Sequence, residues 1–140
     1  MAAERNLFQG NAMLPQGEHK ILIIDDERDL VYLIQKALEY RHYSVVCAHD
    51  GIEGYEKFLK EKPHLIIMDV MMPRLNGFEL CRKIRNEECE QTTPILMLTA
   101  KNEDADRIVG RVIGAEKFMT KPFEVEELLS EVELLLHHAN

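Results

Sequence analysis

Lys20-Ile21-Leu22-Ile23-Ile24-Asp25-Asp26-Glu27 decides the fold: four consecutive apolar residues, mostly β-branched, stop abruptly at two aspartates. A short apolar run with polar bounds reads as a strand buried on both faces, the pattern of a parallel sheet. Directly downstream, Leu30, Leu33, Ile34, Ala37 and Leu38 recur at helical spacing and lay one apolar stripe along a helix. Strand then amphipathic helix is one unit, and the remaining chain repeats it.

Val45-Val46-Cys47-Ala48 forms the second strand, and Asp50-Gly51 turns into a helix from Ile52 to Leu59 that ends before Pro63. Leu65-Ile66-Ile67-Met68 is the third strand, followed after Pro73 and Asn76-Gly77 by a helix carrying Leu80, Cys81 and Ile84. Pro94-Ile95-Leu96-Met97-Leu98 is the fourth, and a helix with Ala105, Ile108, Val109, Val112 and Ile113 on one side comes after it. A fifth strand near Lys117 to Thr120 leads through Lys121-Pro122 to a last helix whose apolar face holds Val125, Leu128, Leu129, Val132 and Leu136. Alternating strands and helices predict an α/β fold with a doubly wound parallel sheet of five strands, because each crossover has room for a helix. Right-handed crossovers then favour the order 2-1-3-4-5 with five flanking helices, and a crevice at the carboxyl ends of strands 1 and 3.

The chain has 140 residues, enough for one core without disulfides or a structural metal. Its formal charge of −8, with no basic run, repels polyanions and disfavours direct nucleic-acid binding. Cys47, Cys81 and Cys89 have no paired spacing and read as reduced thiols of a cytoplasmic protein. No apolar run approaches the ~18 residues needed to span a bilayer, and the start lacks a signal-peptide core, so no membrane insertion is expected. Residues 1–18 carry no periodicity and read as a flexible tail preceding a domain over 19–138. Leu7-Phe8-Gln9-Gly10 looks like part of an engineered protease-cleavage sequence, and Met13 offers an alternative start; the tail is native or engineered on these grounds alike.

In a parallel sheet the carboxyl ends of all strands share one edge, which gathers Asp25 and Asp26 from strand 1, Asp69 from strand 3, Thr99 from strand 4 and Lys121 from strand 5. Like charges at ~4 Å repel by about 1–4 kcal/mol in wet or half-buried surroundings, so three carboxylates need compensation. A hard divalent cation supplies it: Mg²⁺ accepts carboxylates, a carbonyl, waters and phosphate oxygens. Lys121 adds a positive point charge and Thr99 a hydroxyl donor, the groups a phosphoryl oxygen needs opposite the cation. Each residue also has a local reading. Asp26 or Glu27 can favour a helix start, Asp69 can close a strand, Thr99 can satisfy a backbone group and Lys121 can be solvated. Glu27 is assigned to the helix start.

Taken together, Asp25-Asp26-Glu27, Asp69-Val70-Met71-Met72-Pro73 with Asn76-Gly77, Leu98-Thr99-Ala100-Lys101, Gly114-Ala115 and Lys121-Pro122-Phe123 closely resemble the receiver domain of two-component response regulators. The resemblance covers about residues 19–136. It implies the flavodoxin-like receiver fold, with Asp69 as phosphoacceptor from a phosphohistidine on a sensor histidine kinase or phosphotransfer protein. It implies Mg²⁺, with Mn²⁺ as an alternative, on Asp26, Asp69 and the Met71 backbone carbonyl, with Asp25 acting mainly through water. Lys121 would pair with Asp69 and then with the phosphoryl oxygens, and Thr99 would turn its hydroxyl to the phosphate. Phe118 occupies the position of the aromatic that fills the space Thr99 vacates, and Pro122 follows a bond that is often cis in the family. Activity is expected to be confined to self-phosphorylation and slow autodephosphorylation, not turnover of an external metabolite.

The sequence departs from receivers that dimerise symmetrically through the fourth helix, fifth strand and fifth helix. Those carry aspartates before strand 5 and arginines on the last helix, whereas Glu116-Lys117 stands here and no Lys or Arg occurs from Phe123 to Asn140. Glu124, Glu126, Glu127, Glu131 and Glu133 would face like charges across such an interface, which predicts a monomer or weak dimer. The chain stops after His137-His138-Ala139-Asn140, with two expected explanations: a single-domain regulator acting on a downstream protein, or a receiver excised from a longer protein with its output domain missing. Two other functions compete. One is a phosphorylation-independent interaction module with the same fold. The other is a metal-dependent phosphatase using an aspartyl phosphate, which would want a carboxylate two residues after Asp69, where Met71 stands.

Overall fold

The structure, a computed structural model, describes residues 19–87, 92–100 and 114–138. Five strands alternate with helices: β1 (Lys20–Ile24), α1 (Arg28–Tyr40), β2 (Ser44–Ala48), α2 (Gly51–Glu61), β3 (Leu65–Asp69), α3 (Gly77–Glu87), β4 (Ile95–Ala100), β5 (Lys117–Lys121) and α4 (Val125–His138). All four strand pairings are parallel, and the order is β2-β1-β3-β4-β5, as the alternation predicts. Four helices are seen among the described residues against the five expected. The helix expected over Ala105 to Ile113 lies outside them, as do residues 1–18 and Cys89.

Every residue of β3 and all but the first of β1 are buried, which is why these strands read as uninterrupted apolar runs. Alternate residues feed opposite layers. Ile21, Ile23, Leu65 and Ile67 pack with Val31, Ile34 and Leu38 of α1 and with Leu128, Val132 and Leu136 of α4. Leu22, Ile24, Ile66 and Met68 pack on the other face with Phe58 of α2 and Leu80, Cys81 and Ile84 of α3. The core is thus two apolar layers divided by the sheet; the expected stripes of α1, α3 and α4 face it except at Leu33, which is 51% exposed while Val31 is buried, and the stripe expected over Ala105 to Ile113 lies outside the described residues.

Local chemistry sets the helix starts. Asp50 accepts a hydrogen bond from the Glu53 N–H at 2.8 Å, capping α2. Asn76 and Glu79 bond reciprocally, the Glu79 N–H to Asn76 Oδ1 at 2.9 Å and the Asn76 N–H to Glu79 Oε1 at 3.1 Å, a capping box that opens α3. These caps hold the segment that follows Asp69, because Arg74 also reaches Asp50 across 3.1 Å. At the far end of the sheet, Arg85 of α3 donates to the Thr93 and Gly114 carbonyls and pairs with Glu116 at 2.8 Å. Glu116 accepts from the Ile95 N–H as well, so the approach to β5 is tied to α3 and β4. Cys47 and Cys81 are unbridged, and burial pushes the Cys47 thiol pKa up. No helix among the described residues is long and apolar enough to cross a membrane.

Candidate functional site

The carboxyl ends of β1, β3 and β5 meet at one edge and deliver Asp25, Asp69 and Lys121 to a single pocket. Asp25 extends β1 by one residue, its N–H donating to the Ala48 carbonyl at 3.1 Å, and its side chain is fully buried. Asp69 ends β3 at 6% exposure. Lys121 ends the edge strand β5, and its peptide bond to Pro122 is cis. From Lys121 Nζ, Asp25 Oδ2 lies 3.0 Å away and Asp69 Oδ2 3.5 Å.

A third carboxylate, Glu27, joins them. Its Oε1 accepts a hydrogen bond from Lys121 Nζ at 2.6 Å, the shortest of the three contacts. Carboxylate oxygens of Asp25, Glu27 and Asp69 lie within 4.8 Å of one another, the one such group of potential metal ligands among the described residues. The helix-start assignment of Glu27 holds for its backbone, which is extended at the N-cap while its carbonyl accepts from the Val31 N–H at 3.0 Å. Its side chain makes no capping bond and goes to Lys121 instead. One sequence signal pointed this way: Glu, unlike Asp or Asn, is not a favoured N-cap.

Three carboxylates against one ammonium leave the pocket electronegative, and the ionisation equilibria follow. Burial pushes the Asp69 carboxyl up to about 6, the Asp25 charge adds to this, and Lys121 and the Met71 N–H oppose it. Burial likewise raises Asp25, against the Glu27 N–H, which donates to Oδ1 at 2.9 Å, and against Lys121. Burial alone would lower the Lys121 pKa, but the hydrogen bond to Glu27 and the Asp25 and Asp69 carboxylates beside it hold it above the ordinary lysine value.

These residues suit a hard cation. Asp25 Oδ2 is buried and has no hydrogen-bond partner, since Lys121 stands at ion-pair distance from it but off the line of a hydrogen bond. An orphaned carboxylate oxygen in a cluster of oxygen donors with surplus negative charge fits Mg²⁺ by size, hardness and charge. Asp26 does not join the cluster: it is exposed, one residue beyond the last strand-like position. Met71 lies in the segment after β3 and is 62% exposed.

Thr99 is buried on β4 and donates to the Met119 carbonyl at 3.5 Å, a backbone partner instead of the acidic cluster. Phe118 is half-buried against the α2/α3 layer. Register pairs Met97 with Phe118 and Thr99 with Thr120, so Phe118 and Thr99 share one sheet face, two register positions apart along the strands. Gly77 packs directly on the site: a Cβ there would lie 2.5 Å from the Asp69 carbonyl oxygen and 2.9 Å from Val70 Cα.

The sequence model of the response regulator receiver domain matches residues 21–133. The alkaline phosphatase synthesis transcriptional regulatory protein PhoP of Bacillus subtilis is 44% identical over 120 residues, covering 86% of this chain and 49% of PhoP. The response regulator ArlR of Staphylococcus saprophyticus is 43% identical over 117 residues, covering 84% of this chain and 52% of ArlR. The chain therefore spans about half the length of the curated relatives it matches. The crystal structure of a two-component response regulator from Clostridium difficile superposes with a TM-score of 0.82 at 31% identity, over 88% of this chain and 99% of that one.

Proposed function

The chain belongs to the response regulator receiver domain family, and from that membership we propose that it is a phosphorylation-driven switch whose phosphoacceptor is Asp69. The observation that carries this reading is the pairing of Asp69, nearly buried at the crevice, with Lys121 across 3.5 Å while its carboxyl is pushed up to about 6. Burial and neighbouring charge keep this carboxylate short of stabilising partners, and a poorly solvated carboxylate is a better nucleophile than a hydrated one.

An Asp69 oxygen attacks phosphorus, the P–N bond to the phosphohistidine of a sensor kinase or phosphotransfer protein breaks, and the neutral imidazole leaves. Mg²⁺, or Mn²⁺ in its place, supplies charge neutralisation for the phosphoryl oxygens. Asp25 and Asp69 would hold it together with the Met71 carbonyl, and Asp26 would join by turning inward from its exposed position. Lys121 orients the acceptor before transfer and pairs with a phosphoryl oxygen after it. Phosphoryl transfer asks for positioning and charge compensation, which these residues provide, and not for a separate acid or base.

The new phosphoryl group adds charge and strong acceptors, so the arrangement that brings the Thr99 hydroxyl to it is favoured over the bond to Met119. Phe118, on the same face, would take the space that Thr99 leaves. The switched surface lies around the segment after β4, β5 and α4, and its output is a contact with a downstream protein or an attached output domain, in the cytoplasm. PhoP is named as a transcriptional regulator, and DNA binding by a linked domain is compatible with an acidic receiver that itself avoids nucleic acid. Glu116, Glu126 and Glu131 are engaged within the chain by Arg85, Arg41 and Lys117, which supports a monomer or weak dimer over a charge-paired symmetric one.

Incubation with acetyl phosphate and Mg²⁺ tests the proposal by intact-protein mass spectrometry and light scattering. One added phosphoryl group that requires Mg²⁺, with no stable symmetric dimer, is the expected result. No adduct in folded, Mg²⁺-bound protein would favour the phosphorylation-independent interaction module.

A further inference from the structure

Lys121 Nζ is surrounded by three carboxylates within 3.5 Å, and its one hydrogen bond among them goes to Glu27. A phosphoryl group on Asp69 would compete for the ammonium most directly with that hydrogen bond. Glu27 makes the shortest contact at 2.6 Å, and the only Lys121 side-chain contact of the three with hydrogen-bond geometry among the described residues. It is also the most exposed, at 61% of its side chain, against 0% for Asp25 and 9% for Asp69. Water can rehydrate the Glu27 carboxylate as soon as it is released, whereas a buried carboxylate losing its cation would stay unsolvated.

We propose that Glu27 is a positioning residue: it holds Lys121 in the unphosphorylated pocket and surrenders it to the phosphoryl group on Asp69. The inference rests on the phosphoacceptor reading of Asp69. A purely structural role does not account for the contact, because the Glu27 side chain sits at an N-cap without capping anything. The backbone, in contrast, is pinned, with its N–H donating to Asp25 Oδ1 at 2.9 Å, so the side chain is rooted beside the acceptor and free to move. In the exchange Lys121 keeps its proton and its charge. One Nζ–H···O contact to Glu27 is replaced by one to the oxygen that arrives with phosphorus, and the bond broken is the donor's P–N or P–O bond. Glu27 competes with the incoming group twice, by occupying the ammonium and by repelling a dianion.

Glu27→Gln keeps the length and removes the charge, while Glu27→Asp keeps the charge on a shorter arm. In the full chain with acetyl phosphate at saturating Mg²⁺, intact-mass kinetics should show Glu27→Gln phosphorylated roughly two- to five-fold faster than wild type, the size of a half-exposed ion pair. Glu27→Asp should fall between the two. Mg²⁺ affinity, measured calorimetrically without phosphodonor, should change in the opposite direction and weaken in Glu27→Gln, because a carboxylate of the acidic cluster is gone. A Lys121 side-chain ammonium signal in ¹⁵N NMR should shift in Glu27→Gln. Damage to α1 would instead slow phosphorylation and destabilise the fold together. A wild type that phosphorylates while Glu27→Gln does so at an equal or lower rate overturns the role of Glu27 alone. A wild type that never phosphorylates overturns the exchange together with the phosphoacceptor reading.

Discussion

Asp69→Asn is expected to be more stable than wild type by about 1–2 kcal/mol near neutral pH when divalent cations are chelated, although it removes the proposed phosphoacceptor. Wild-type Asp69 titrates at about 6 in the folded protein against an ordinary value of 3.8, so the folded state binds its proton more tightly than the unfolded chain does. A raised carboxyl contributes stability that is fully present below the unfolded pKa and lost as pH rises through the folded one. The difference between wild type and Asp69→Asn should therefore be small near pH 4 and open up between about pH 4 and 6. A full two-unit shift would correspond to about 3 kcal/mol, and coupling to Asp25 and Lys121 reduces what the substitution recovers. Added Mg²⁺ should close the gap by stabilising wild type more strongly than the variant. Denaturant melts at several pH values, with EDTA and with Mg²⁺, measure all of this. A variant less stable than wild type at every pH in EDTA would contradict the electrostatic account of the pocket.

Gly77→Ala should be strongly destabilising, by about 2–3 kcal/mol, and should also slow phosphorylation. The added methyl would meet the Asp69 carbonyl oxygen at 2.5 Å and Val70 Cα at 2.9 Å, both backbone atoms that cannot rotate aside. Alanine would ordinarily favour the first turn of α3, so helix propensity acts in the opposite direction and the loss isolates the close approach. Relief requires β3 or α3 to move, and the Gly77 N–H bond to the Val70 carbonyl at 2.8 Å ties the two together. Displacement of the acceptor by even a fraction of an ångström matters for in-line transfer. Chemical denaturation and acetyl phosphate kinetics read the two effects separately. Unchanged stability would show that the segment after Asp69 yields easily.

Much of the architecture was legible because the sheet is buried on both faces. Ile21-Leu22-Ile23-Ile24 and Leu65-Ile66-Ile67-Met68 can only be central strands, and alternation with amphipathic helices sets a parallel order whose topology alone gathers Asp25, Asp69 and Lys121. Other features depended on tertiary structure. Two adjacent aspartates cannot be ranked by type, and only the continuation of β1 shows that Asp25 turns in while Asp26 turns out. The same double-sided burial that marks β4 as a strand hides which face Thr99 occupies, and its hydroxyl bond to Met119 emerges only from the pairing with β5. Glu27 fits a helix start locally, and its partner lies 94 residues away. A local reading had no access to that contact.

The central claim is that Asp69 carries the phosphoryl group. Borohydride reduces an acyl phosphate to an alcohol, so protein phosphorylated with acetyl phosphate and Mg²⁺, then reduced and digested, records the site covalently. Homoserine at position 69, dependent on Mg²⁺ and on the phosphodonor, is the result predicted. Homoserine at Asp25, Asp26 or Glu27 with position 69 unmodified would contradict it.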